Sequence, residues 1–73
     1  MKVLFSSRLM DDLTQTVQSA LSKHGIVNIP QLAEEIRKRN EDENVALEDI
    51  AAQLMVQAQV FSAAMEFDSP ALN

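Results

Sequence analysis

Apolar residues recur along this chain at three- and four-residue steps in three separate blocks, the spacing that places them on one face of a helix. The first block holds Leu9, Met10, Leu13, Val17, Ala20 and Leu21, with Asp11, Asp12, Gln15, Gln18, Ser19 and Ser22 on the other side. It predicts a helix from about Arg8 to His24. Ser6 or Ser7 serves as its N-cap, and Asp11 and Asp12 lie near the positive end of its dipole. Lys23 and His24 suit the negative end, and Gly25 supplies the left-handed residue that stops the helix.

The second block is narrower, with Ile29, Leu32, Ala33 and Ile36. Its start signal is strong. Asn28 as N-cap places Pro30 in the first turn, where a missing N–H costs nothing, and Gln31 completes an Asn-x-x-Gln capping box. Val27 and Leu32 occupy the two positions of a hydrophobic staple. On the outer side, Glu34 precedes Lys38 and Glu35 precedes Arg39 at four-residue spacing, the favourable acid-first order. This helix is predicted to end near Asn40.

Asn40 to Asn44 read as an acidic connection, with Asn44 available to cap the next helix. From Val45 to Phe67 there is no Gly or Pro and helix formers dominate, so the third helix is expected to be the longest. Its main stripe is Leu47, Ile50, Leu54, Ala58, Phe61 and Met65, with Ala51 alongside. Val56, Val60, Ala63 and Phe67 form a second ridge, with Met55 near it. Pro70 disfavours helix at Ser69 and ends the element.

These elements predict an all-α fold: a small three-helix domain spanning residues 1–73, with 1–7 an N-terminal arm and 68–73 a loose tail. At 73 residues the chain has room for one domain with a stability on the order of 3–5 kcal/mol. There is no cysteine to staple it. Met1–Phe5 has one positive charge and a three-residue apolar run, too little for a secretory leader. Gln53, Gln57 and Gln59 interrupt the most apolar stretch, so no membrane span is expected. A cytoplasmic setting is the default expectation.

The net charge of −5 is unevenly placed. Residues 1–40 carry six basic and four acidic residues, +2, whereas residues 41–73 carry seven acidic and none basic, −7. Such a chain can attract a second copy or a basic partner. Arg37, Lys38 and Arg39 on one side, and Glu41, Asp42 and Glu43 on the other, are the candidate charged contacts. The acidic half disfavours nucleic acid, because phosphate binding needs Lys and Arg.

Candidate chemistry is sparse. His24 is the single histidine and sits at a helix end on the apolar stripe, where a structural role is expected. The acidic run fails as a calcium loop: counted from Asp42, the sixth residue is Leu47 rather than Gly and the twelfth is Gln53 rather than Glu. One glycine cannot build a phosphate-binding loop. Catalytic residues, cofactors and metal ligands are therefore all expected to be absent. Leu32-Ala33 with Ile36, and Ile50-Ala51 with Leu54, have the apolar-Ala-x-x-apolar form of helix-turn-helix positioning helices. With the first pair in that role, the reading helix would open on Val45-Ala46-Leu47-Glu48-Asp49 and present acids to phosphate. With the second, no turn residue separates the two helices.

The sequence thus points to a non-enzymatic protein–protein interaction or regulatory module that self-associates as a homodimer. Its candidate interface is Met55, Val56, Val60 and Phe67. The alternative is a helix-turn-helix transcription regulator. A third possibility, an acidic nucleic-acid mimic that occupies a basic protein, ranks lower.

Overall fold

The computed structural model describes residues 5–61 and 63–67. The expected tail and the first four residues of the expected arm lie outside them. Three helices and a two-stranded parallel sheet follow one another as α1 (Ser7–His24), β1 (Ile26–Asn28), α2 (Ile29–Arg39), α3 (Leu47–Val60) and β2 (Ala64–Glu66). A 3₁₀ turn, Glu41–Glu43, lies between α2 and α3.

Local sequence signals set most boundaries. Ser6 takes an extended backbone, and its Oγ accepts the Leu9 N–H at 3.1 Å, which starts α1. Gly25, at φ 72°, turns the chain out and donates its N–H to the Leu21 carbonyl. Asn28 Oδ1 accepts the Gln31 N–H at 3.0 Å and starts α2, with Pro30 in the first turn. Asn44 departs from expectation. It adopts a left-handed conformation, φ 56°, that closes the 3₁₀ turn, and α3 begins after Ala46 without a side-chain cap. Glu48 and Asp49 in the first turn of α3 complement its dipole instead.

Every helix contributes to one core. Leu9, Leu13 and Val17 of α1, Ile36 of α2, Ile50 and Leu54 of α3 and Val27 of β1 are all fully buried. Ala20, Ile29, Ala33 and Ala58 fill the spaces between them. The stripes of α1 and α2 bury largely as their spacing predicts.

The third helix is not the longest: α3 has 14 residues against 18 in α1. It stops at Val60, where Phe61 donates its N–H to Gln57 and Ala63 donates to Ala58 at 2.8 Å, and this last bond closes the helix end. The chain then runs back as β2. Ala64, Met65 and Glu66 pair in parallel with Ile26, Val27 and Asn28. The ladder supplies hydrogen-bond partners for strand segments that would otherwise lack them, and Met65 packs against the core. Tertiary pairing here overrides the helix preference of Ala, Met and Glu. The fold is accordingly helical with a small parallel sheet added, and part of the expected apolar stripe of the third helix belongs to that sheet.

Candidate functional site

Two features of the surface stand apart from the core: a polar network where α1 meets the end of α2, and an apolar ridge on α3. The network is centred on Asp12. Arg39 Nε donates to Asp12 Oδ2 at 3.1 Å and its Nη2 donates to Oδ1 at 2.8 Å, a two-point grip between helices. Asn40, buried, donates its two Nδ2 hydrogens to Asp12 Oδ2 at 2.7 Å and to the Ile36 carbonyl at 2.8 Å. Thr16 Oγ1 donates to the Asp12 carbonyl at 2.7 Å and accepts from Arg39 Nη2 at 2.8 Å. Burial pushes the Asp12 carboxyl up, but hydrogen bonds from Arg39 and Asn40, the Arg39 charge and the Thr16 contact outweigh it. The result is a carboxyl held below its usual value.

A second charged contact ties the acidic turn to the start of α1. Arg8 Nη2 lies 2.8 Å from Asp42 Oδ1 and 3.2 Å from Glu43 Oε2, and Ser6 Oγ donates to Glu43 Oε2 at 2.8 Å. The hydrogen bond from Arg8 lowers the Asp42 carboxyl. Of the residues expected to make charged contacts with a partner, Arg39, Asp42 and Glu43 are thus engaged within the chain. Arg37 pairs with Glu34 one turn back, at 2.9 Å. Lys38 and Glu41 stay exposed, with no ion pair among the described residues. The expected Glu34–Lys38 and Glu35–Arg39 bridges do not form, because Arg39 turns to the better enclosed carboxylate of Asp12.

No protein-family model, curated protein or solved structure matches this chain. The functional reading therefore rests on its own surface chemistry.

The expected interface residues divide. Met55 packs against the core. Val56 is 49% exposed, Val60 72% and Phe67 57%. Val56 and Val60 are one helical turn apart and share a face of α3. Phe61, expected in the core, is 39% exposed because α3 ends before its next turn can carry the ring inward. Ala63 packs inward against the core. Between Asp49 and Glu66 the sequence carries no charge, so Val56, Val60 and Phe61 lie in the one long neutral stretch of the chain's acidic half, while Phe67 lies between Glu66 and Asp68.

An open groove of about 740 Å³ runs between the polar side of α1, the length of α2 and the two strands. Its cations Lys23 and Arg39 lie among the carboxylates Asp12, Glu35 and Glu66, so the charges largely offset one another. His24 is exposed at the last position of α1, away from the core that its place on the apolar stripe suggested. It suits the helix dipole there. No helix is long and apolar enough to cross a membrane among the described residues.

Proposed function

We propose that this protein is a non-enzymatic helical interaction module that pairs with a second copy of itself through the outer face of α3. The exposure of Val56, Val60, Phe61 and Phe67 carries this reading. Val56 and Val60 lie on the last two turns of α3, Phe61 at its end and Phe67 just beyond β2, and each leaves more than a third of its surface to solvent. Apolar side chains exposed side by side, as Val56 and Val60 are, mark contact surfaces more often than scattered ones do.

Charge supports a second copy as the partner. Two molecules of net charge −5 repel, and they can approach most closely where neither presents a carboxylate. The neutral stretch between Asp49 and Glu66 meets that condition. A two-fold pair brings the same patch from each molecule together, which suits an apolar face. The charged groups contribute little, since Arg39, Asp42 and Glu43 are already engaged and exposed pairs are worth at most about 1 kcal/mol. Duplex nucleic acid is not part of this reading: Glu48 and Asp49 open α3, and Arg8 and Arg39 are engaged by acids of the chain itself. A cytoplasmic setting accords with a cysteine-free chain.

Sedimentation equilibrium tests the proposal. The parent protein is expected to be dimeric at high micromolar concentration. Val60→Glu, at the most exposed of the four positions, should return it to a monomer that keeps α1, α2 and α3. A parent that remains monomeric throughout would refute the proposal.

A further inference from the structure

Residues 63–67 combine two structural instructions. Locally, Ala63, Ala64, Met65 and Glu66 are among the strongest helix formers, and Ala and Glu are depleted in strands. Globally, Ala64–Glu66 form β2, in a parallel ladder of three residue pairs. A two-stranded ladder is marginal on its own, and this one leans on the partial burial of Ala63 and Met65 against the core. Ala64, Glu66 and Phe67 are exposed, Met65 is only partly buried, and Glu66 Oε1 accepts from Asn28 Nδ2 at the long distance of 3.2 Å. Such a conflict between local preference and tertiary pairing leaves two arrangements close in free energy.

The second arrangement has a pattern of its own. Val56, Val60, Ala63 and Phe67 are spaced by four, three and four residues. On a continuous helix that alternation forms a single seam, the one through which helices pair in coiled coils. In the structure only Val56 and Val60 lie on α3. Ala63 is turned into the core and Phe67 lies beyond β2.

We propose that β2 is an exchangeable strap: it leaves β1 and re-forms as a continuation of α3 when a second copy pairs along the completed seam. This rests on the self-association proposed above and adds how the interface is built. In the monomer the strap keeps half of the seam out of line. In the dimer, the apolar contact along four seam positions on each helix replaces the short ladder and the packing of Met65. The seam is free of charge from Val56 to Ala63 and has acids, Glu66 and Asp68, beside Phe67 alone, so two acidic chains can align along most of it. The exchange makes dimerisation dependent on a conformational step, so helix preference in 63–67 tunes affinity without touching the contact surface.

Backbone chemical shifts of isotopically labelled full-length protein, followed by NMR from low micromolar to millimolar concentration, read the exchange directly. In dilute solution residues 64–66 are expected to show strand shifts and contacts in the register Val27 to Met65. As the dimer forms, the shifts of 63–67 should become helical and those contacts should disappear. Ala64→Val combined with Glu66→Thr favours strand over helix at positions beside the seam. Because each dimer contains two extended helices, the double variant should weaken association by about tenfold or more, with the monomer fold retained. Dimerisation with the strand register intact, or a double variant that associates as well as the parent, would overturn the strap exchange and leave self-association standing. A chain that stays monomeric would overturn both.

Discussion

Replacing Asp12 by Ala removes the carboxylate that joins α1 to the end of α2, and the cost can be worked out from its partners. Arg39 is about half exposed, with 47% of its side chain accessible, so solvent screening limits its ion pair to roughly 0.5–1 kcal/mol. Asn40 is only 5% exposed, and its Nδ2 would lose one of two acceptors while keeping the Ile36 carbonyl. A buried donor left without a partner costs about 1–3 kcal/mol, and the low end applies because one bond survives. Together these give about 2 kcal/mol, roughly half of the total stability of a domain this size. The loss also depends on pH. The Asp12 carboxyl is held below its usual value in the folded chain, so its contribution is fully present above the ordinary aspartate pKa of about 3.9 and fades as pH falls through the folded value. Urea denaturation followed by far-ultraviolet circular dichroism measures the difference at each pH. The gap between parent and Asp12→Ala should be constant from about pH 5 to 7 and shrink below about pH 4. A variant within about 0.5 kcal/mol of the parent at neutral pH, or a gap that does not narrow in acid, would refute the assignment.

Burial and capping set two further outcomes. Leu54→Ala should cost roughly 2–5 kcal/mol and unfold much of the population, whereas Phe61→Ala, at a position 39% exposed, should cost only about 1–2 kcal/mol. Equal losses in thermal melts would show that Phe61 is core after all. Asn28→Ala should cost about 1 kcal/mol by removing the acceptor for the Gln31 N–H, and denaturant titration would contradict the cap if the midpoint did not move.

Neighbours in the chain decide the features that were legible in the sequence. Ser6, Gly25, Asn28 and Pro30 punctuate α1 and α2, and the stripes Leu9, Leu13, Val17 and Ile50, Leu54, Ala58 bury as their spacing dictates. The end of α3 was not legible. No Gly or Pro marks it, and only the distant strand Ile26–Asn28 pulls Ala64–Glu66 out of a helical pattern. Phe61 was misplaced for the same reason, because its position in the stripe assumed that the helix continued. The Asp12 network escaped as well. Local spacing suggested partners four residues away for the charges of α2, while Arg39 and Asn40 instead reach 27 and 28 positions along the chain to a carboxylate on another helix. Of the candidate interface, Val56, Val60 and Phe67 are exposed, while Met55 packs against the core.

The parallel pairing of β1 and β2 also has a kinetic consequence. Strands aligned in the same direction cannot be joined by a tight turn, so 38 positions separate Ile26 from Ala64, with α2 and α3 between them. α2 and α3 can form and dock across the short connection between them, whereas the ladder must wait until that loop has closed. Folding should therefore finish at this seam, and unfolding should begin there. During synthesis β2 leaves the ribosome after every other described element, so the nascent domain acquires its helical core first and fastens its sheet last.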